Sequence, residues 1–222
     1  MSVSLRCYST SLGCPKNRVD TERLLGSLGV ALVPVESPDE AELVFINTCA
    51  FIQPATEESV RTIAQAIADI EELPKRPLLA VAGCLVGRYH AEDLAPELPE
   101  VDLWLDNSDL EAWPAMLARK LGLPEPTVPG RILSTGPSYA WLKISDGCRH
   151  ACSFCAIPNI RGGHRSHCKD MIVREARALL DQGVKELNLV AQDLTEWGCD
   201  LDGKQDLRTL LDGLLPVSYT HL

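Results

Sequence analysis

The sequence predicts an α/β fold that begins with an open parallel sheet. Short apolar runs recur along the first half of the chain, and stretches with a helical apolar face separate them. The runs are continuously apolar, which is typical of strands that are covered on both faces. Together these patterns favour a doubly wound sheet of the Rossmann or flavodoxin-like type.

Each element of this sheet has its own local signal. We expect five strands, at Val3–Ser9, Ala31–Val35, Leu43–Asn47, Leu78–Ala82 and Val101–Leu105. Helices are expected between them at Arg18–Leu28, Pro54–Leu73 and about Leu110–Leu121. Pro54 suits the first turn of a helix, and Gly122 is a typical residue after the last turn.

A stretch rich in proline and glycine divides the chain. We predict an N-terminal domain over residues 1–123, a linker over 124–137 and a second domain over 138–222. The second domain is expected to begin with a strand at Tyr139–Ile144, followed by a cysteine-rich loop over residues 145–169. A helix should follow from about Met171, with Asp170 as its cap and Gly183 at its end, and then a strand at Glu186–Ala191. Leu207–Leu215 is expected to start a further helix.

Composition and charge indicate the cellular compartment and the class of partner. Apolar residues make up 45% and charged residues 23%, a globular composition, with no run long enough to span a bilayer and no signal-peptide pattern. The nine cysteines are an odd number without the spacing of a secreted disulfide scaffold, so we expect a cytoplasmic protein whose thiols bind metal. Residues 1–125 contain 10 basic and 20 acidic side chains. This acidity disfavours nucleic acid and suits a basic protein partner, although it equally suits solubility alone.

Three cysteines, Cys148, Cys152 and Cys155, follow the first strand of the second domain with Cys-x3-Cys-x2-Cys spacing. Three thiolates on one short loop can hold a cubane iron–sulfur cluster and leave one iron open to a small molecule. The alternative is a zinc site that His150, His164 or His167 completes. Basic residues surround this loop and are candidates for stabilising an anionic cluster or binding a carboxylate: Arg149, Arg161, Arg165 and Lys169.

A second set of cysteines follows three of the predicted strands. Cys14 lies in the loop after the first strand, and Cys49 and Cys84 come just after two others. Because ligand sites in open parallel sheets form beyond the carboxyl ends of the strands, we expect these thiols to form a second three-thiolate cluster site. The alternative is that each is a small buried apolar residue, which is our interpretation of Cys7. Cys168 and Cys199 have no assigned role.

The motifs resemble those of the radical S-adenosylmethionine (SAM) methylthiotransferases. The resemblance covers about residues 4–212 and favours the branch that modifies an aspartate of a small-subunit ribosomal protein over the transfer-RNA branch. The matching segments are Leu12-Gly13-Cys14-Pro15-Lys16-Asn17 with Asp20 and Glu22, Asn47-Thr48-Cys49, Gly83-Cys84, Gly147-Cys148 through Arg165-Ser166, and Glu186 through Gln192-Asp193.

This resemblance implies two [4Fe–4S] clusters, SAM as a cofactor and an external electron donor. Cys14, Cys49 and Cys84 would hold the auxiliary cluster, and Cys148, Cys152 and Cys155 the cluster that binds SAM. The implied reaction adds a methylthio group to the β-carbon of an aspartate in a basic ribosomal protein. The second domain would be the beginning of a partial (β/α) barrel.

Family members continue through a longer barrel and a C-terminal module called TRAM, and residues 217–222 do not fit the family pattern. We therefore expect this chain to bind at least one cluster and to lack full activity. Two alternative functions are methylthiolation of a transfer-RNA adenosine and a non-catalytic iron–sulfur or zinc-binding module.

Overall fold

The computed structural model describes residues 4–127, 129–203 and 205–217. They divide into two compact units, one up to Ile132 and one from Leu133 onward. Each unit is an α/β structure with its own apolar core. The domain limits predicted from the sequence stay a prediction.

The first unit is built on five parallel strands in the order β2-β1-β3-β4-β5. The strands are β1 (Ser4–Ser11), β2 (Ala31–Pro34), β3 (Leu43–Thr48), β4 (Leu78–Gly83) and β5 (Leu103–Leu105). The helices are α1 (Pro15–Ser27), α2 (Gln53–Ile70), α3 (Cys84–Tyr89), α4 (Ala91–Leu94) and α5 (Trp113–Leu121). This order, with its reversal between β1 and β3, is that of a flavodoxin-like doubly wound sheet. The predicted fold class is therefore confirmed.

Helix boundaries in this unit differ from the sequence prediction at several points. Helix α1 begins at Pro15 instead of Arg18, because the proline takes a first-turn position and Cys14 acts as the N-cap. Helix α5 begins at Trp113 instead of Leu110, because a 3-10 turn at Asn107–Asp109 precedes it. Helices α3 and α4 were not predicted, since four to six residues are too few to show a helical period.

The central strands are buried and aligned at their carboxyl ends. Every residue of β3 is buried, as the continuous apolar run predicts. In the register of the sheet, Ser11 of β1 pairs with Asn47, and Thr48 of β3 pairs with Gly83 of β4. The loops that leave these three strands therefore start at one edge of the sheet.

The last residues of the first unit pack on α1. The Nε and Nη2 atoms of Arg131 both donate to Glu22 Oε2, at 2.9 and 2.7 Å, and both side chains are buried. The backbone N–H of Ile132 donates to the carbonyl oxygen of Glu22 at 3.1 Å. A buried pair with these additional bonds fixes the position of this segment on the helix.

The second unit contains two small sheets. Strand β6 (Tyr139–Lys143) pairs in parallel with β9 (Glu186–Val190), and β7 (Ser145–Asp146) pairs antiparallel with β8 (Arg165–Ser166). The helices are α6 (Ile157–Arg161), α7 (Lys169–Asp181) and α8 (Leu207–Leu214). The segment β6–α7–β9 is a parallel β–α–β unit, the repeating unit of a (β/α) barrel.

The cap of α7 corrects one expectation. The helix starts at Lys169, and Cys168 is its N-cap, with extended backbone angles and no side-chain cap bond. Asp170, the predicted cap, lies inside the first turn, where its charge still favours the helix N-terminus. Among the residues that the structure describes, none of the helices is long and apolar enough to cross a membrane.

Candidate metal centres

The carboxyl edge of the large sheet brings the first three predicted cysteines to one place in the fold. Cys14 caps α1 after β1, Cys49 directly follows β3, and Cys84 is the first residue of α3 after β4. Strands β1 and β3 flank the reversal in strand order, where ligand sites of doubly wound sheets form. The positive ends of the two helix dipoles favour an anionic ligand at Cys14 and Cys84.

The loop that carries Cys14 lies directly on Cys49. Gly13 has a positive φ of 81°, and a Cβ atom placed on it would be 2.6 Å from Cys49 Cβ and 2.7 Å from Cys49 Sγ. Only glycine allows this approach and this backbone conformation. The Gly-Cys pair therefore allows the first two thiols to be neighbours.

Asn17 connects all three cysteine-bearing segments. Its side-chain amide nitrogen donates to the carbonyl oxygens of Leu12, at 2.9 Å, and Thr48, at 2.8 Å. Its amide oxygen lies 3.9 Å from the Sγ of Cys84, which donates to it. The side chain is completely buried, and through it one residue contacts the segments that follow β1, β3 and β4.

Further polar side chains support this arrangement from outside. The Nδ2 atom of Asn47 donates to the carbonyl oxygen of Asn17 at 2.9 Å. Ser59 of α2 accepts from the backbone N–H of Cys49 at 3.0 Å and donates to its carbonyl oxygen at 2.7 Å. The Nδ2 atom of Asn107 donates to Cys84 Sγ at 3.8 Å, a contact that a thiolate would strengthen. Sequence reasoning missed Ser59 and Asn107, since no local pattern links them to the cysteines.

These residues fit an iron–sulfur cluster. The three side chains are free thiols, two of them buried and one partly exposed. A soft thiolate donor set, an amide N–H directed at one sulfur and two helix N-termini suit an anionic cluster with one iron that lacks a protein ligand.

The second predicted set lies on the loop between β7 and α6. Cys148 and Cys155 are partly buried and Cys152 is exposed, so each of the three residues has some access to solvent. The backbone N–H of Cys148 donates to the carbonyl oxygen of Gly162 at 3.3 Å. Gly147, with a φ of 65°, lies so close to residues 162–163 that a Cβ atom would be 2.6 Å from the Gly162 oxygen. The start of the loop is thus held firmly against the segment that follows α6, while the thiols remain open to a cluster.

A buried ionic cluster fixes the backbone two residues before Cys148. Asp146 accepts from Lys143 Nζ at 2.7 Å and from Arg161 Nη1 at 3.0 Å, and all three side chains are nearly inaccessible to solvent. Burial acts to raise the pKa of Asp146, but the charge of Lys143, a hydrogen bond from His167 and the charge of Arg161 outweigh it and hold that pKa well below its usual range. The ionised carboxylate is therefore the stable form that joins β6, β7 and α6.

The predicted basic patch does not form as a unit. Arg161 is buried on Asp146 and Arg149 pairs with Glu196, so these two arginines make internal ion pairs. Arg165 is exposed in β8, and Lys169 starts α7. Arg161 does bind a carboxylate, that of Asp146 in the chain itself, and sequence spacing does not show which arginine turns inward.

The three histidines of the alternative zinc site have other neighbours. His150 Nε2 lies 3.1 Å from Asp193 Oδ2, and His167 Nδ1 lies 3.1 Å from the carbonyl oxygen of Lys143. Within the described ranges, the donors that come within 4.8 Å of one another are His164, Cys199 and Asp200. In each three-cysteine set, at least one pair of sulfur atoms is farther apart than this.

Cys7 differs from all the other thiols. It is buried in the core of the first unit, and burial raises its pKa to about 12. A thiol that stays protonated in an apolar core is inert, in agreement with its interpretation as a core residue.

Comparison with solved structures relates the architecture to a radical SAM enzyme. The radical S-adenosylmethionine methyltransferase TsrM from Kitasatospora setae, with cobalamin and a [4Fe–4S] cluster bound, aligns with a TM-score of 0.54 and 12% identity over 88% of this chain and 50% of that one. A second structure of TsrM, with tryptophan substrate and a SAM analog, gives a TM-score of 0.56 and 11% identity over 86% and 48%. At these identities the likeness concerns the fold alone.

Sequence comparison is more specific. Residues 6–106 match the family described as Uncharacterized protein family UPF0004. The ribosomal protein uS12 methylthiotransferase RimO of Nitratidesulfovibrio vulgaris is 69% identical over 210 residues, which is 95% of this chain and 49% of that protein. RimO of Lawsonia intracellularis is 58% identical over 96% of this chain, and RimO of Aquifex aeolicus 49% identical over 93%. The chain spans about half the length of the curated relatives it matches. Along nearly all of its residues, the chain is thus similar to about half of the length of RimO methylthiotransferases.

Proposed function

We propose that this chain is the cluster-binding part of a radical SAM methylthiotransferase that modifies the β-carbon of an aspartate in ribosomal protein uS12. The observation that carries the proposal is the placement of Cys14, Cys49 and Cys84 at one edge of the sheet, with Asn17 joining their loops. The chain also has a second three-cysteine loop, and the proposed reaction requires two clusters. The substrate is taken from the relatives, which are ribosomal protein uS12 methylthiotransferases.

Each cysteine set has one role in this proposal. Cys14, Cys49 and Cys84 would hold an auxiliary [4Fe–4S] cluster, and Cys148, Cys152 and Cys155 would hold a [4Fe–4S] cluster able to bind SAM. When bound, these groups supply the radical chemistry that replaces a C–H bond of the aspartate with a C–S bond.

The surrounding residues of the chain orient the ligands. Asn107 donates to the Cys84 sulfur at 3.8 Å, and Asn17 joins the loops that carry Cys14 and Cys49 through its bonds to the carbonyl oxygens of Leu12 and Thr48. Asp146, paired with Lys143 and Arg161, fixes the backbone that leads into Cys148. Such rigid outer contacts keep cluster ligands in place and limit solvent access.

The partners follow from charge and from the chemistry. The acidic first half of the chain, with 20 acidic and 10 basic residues over 1–125, suits a basic ribosomal protein and repels nucleic acid. The reaction needs an external electron donor and no membrane, and we place it in the cytoplasm, where ribosomal proteins are found.

Replacing either cysteine set should remove about half of the bound iron and sulfide. A chain with Cys14, Cys49 and Cys84 all changed to Ala, or with Cys148, Cys152 and Cys155 all changed to Ala, is expected to lose about four iron atoms and to keep the other cluster. Anaerobic purification followed by iron, sulfide and zinc analysis measures this. Cys168→Ala, at an exposed thiol outside both sets, serves as the control and should keep all of the iron. Zinc without sulfide in the unchanged chain contradicts the proposal.

Substrate choice should appear as selective, salt-sensitive binding. A basic uS12 peptide that contains the target aspartate is expected to bind the iron-loaded chain and to weaken about tenfold or more between 50 and 500 mM salt, because its attraction to the acidic surface is screened. Fluorescence anisotropy with a labelled peptide measures the affinity, and a transfer RNA is the comparison ligand. Tight binding of the transfer RNA without binding of the peptide would contradict a ribosomal-protein substrate and support the transfer-RNA branch of the family.

A further inference from the structure

We propose that His164, Cys199 and Asp200 form a third metal site, which holds a single zinc-type divalent ion and is separate from both three-cysteine sets. One ligand atom of each residue lies within 4.8 Å of the other two. His164 Nε2 is 3.6 Å from Asp200 Oδ1. All three residues belong to the second unit, so its own fold brings them together.

The first half of this site is held by β8. His164 directly precedes the strand, and its side chain is only 2% exposed although it lies in a loop. Its Nε2 atom lies 3.1 Å from Ser166 Oγ. The backbone N–H of Ser166 donates to Asp200 Oδ2 at 2.8 Å, which orients the carboxylate toward the histidine.

The second half is anchored by the turn that contains Trp197. This indole is almost completely buried, and its Nε1 atom donates to the carbonyl oxygen of His167 at 3.0 Å. The backbone N–H of Gly198 donates to Ser166 Oγ at 2.9 Å. Hydrogen bonds thus join the two chain segments that carry the ligands before any ion binds, so ion binding needs to order few residues.

The donor set indicates the class of metal. An imidazole nitrogen, a thiolate and a carboxylate oxygen are each donors that zinc takes in proteins, and a water can complete the tetrahedron as fourth ligand. Magnesium and calcium prefer oxygen donors and would leave the thiol unused. A thiolate and a carboxylate together balance the two positive charges of the ion. The neighbouring Glu196 is paired with Arg149 and also shares a side-chain hydrogen bond with the Cys199 thiol.

A metal at this position would join two segments of the second unit. One is the segment of residues 162–166, on which the start of the Cys148 loop rests through the bond from Cys148 to Gly162. The other is the turn after β9 that contains Trp197 and Cys199. The ion would therefore stabilise the support of the cluster loop through residues outside both three-cysteine sets.

Alkylation of two exposed thiols in the same chain tests the site. Cys199 and Cys168 are both exposed, but only Cys199 belongs to the proposed ligand set. With the anaerobic, iron-loaded chain, zinc sulfate is expected to slow iodoacetamide labelling of Cys199 at least about tenfold, because a metal-bound thiolate reacts slowly, and to leave the Cys168 rate unchanged. Peptide mapping by mass spectrometry gives both rates. Magnesium sulfate should protect neither thiol.

Two histidine variants complete the test. His164→Gln is expected to abolish the zinc protection of Cys199, whereas His150→Gln, which changes an exposed histidine outside the set, should retain it. An unchanged Cys168 rate and circular dichroism spectrum show that each variant is folded. Equal Cys199 rates with and without zinc in the unchanged chain, or full protection in His164→Gln, would overturn the proposal.

Discussion

Asp146→Asn should lower the free energy of unfolding of the second unit by about 3–5 kcal/mol, because it removes the carboxylate that two cations share in a buried ionic cluster. Lys143 and Arg161 both point their charges at this carboxylate, and their side chains are 1% and 4% exposed. An amide of the same size accepts hydrogen bonds but cannot balance two buried positive charges.

Urea unfolding, followed by hydrogen exchange of peptides from each unit, measures this effect. Exchange in β6 and α7 is expected to become faster at low urea, while exchange in β3 and β4 should be unchanged. Asp181→Asn removes an exposed carboxylate at the end of α7 and provides the matched control, with a change of about 0.5 kcal/mol or less.

The same substitution should also weaken iron binding at the nearby loop. Asp146 lies two residues before Cys148 and fixes the strand from which the loop departs. Under a chelator, the variant is expected to lose iron from the Cys148 set at least about tenfold faster and to retain iron at the Cys14 set. Unchanged stability and unchanged iron release would show that the ionic cluster does not support the loop.

The sequence predicted those structural features that depend on residues close together along the chain. Continuous apolar runs located all five strands of the large sheet, and the position of Cys49 and Cys84 at strand ends predicted a shared edge before any contact was known. The carboxyl ends of parallel strands lie at one edge of the sheet whichever side chains the strands carry, which is why this inference was possible.

Features that depend on distant residues were not predictable in the same way. Arg161 and Arg165 look alike in sequence, yet Arg161 is buried on Asp146 and Arg165 is exposed. The two-residue strands β7 and β8 are too short for any periodic signal. The contact between Asn107 and Cys84 joins residues 23 positions apart. Only the assembled fold shows such pairings.

Asn17→Asp is the second substitution with a large expected effect, and it acts on the other unit. The amide donates to the carbonyl oxygens of Leu12 and Thr48, whereas a carboxylate donates to neither and places a negative charge against both. A protonated carboxyl would restore only one of the two bonds. Because the side chain is completely buried, we expect the free energy of unfolding of the first unit to fall by about 2–4 kcal/mol.

This substitution separates the role of the amide from the role of the thiols, since all three cysteines remain. If Asn17 sets the spacing of the loops that carry Cys14, Cys49 and Cys84, the variant should lose about four iron atoms from that set and keep the cluster at Cys148. Gln53→Glu makes the same amide-to-acid change at the exposed start of α2 and should keep both clusters. Full iron content in Asn17→Asp would mean that the three loops hold their spacing without the amide, and that the sheet edge alone positions the thiols.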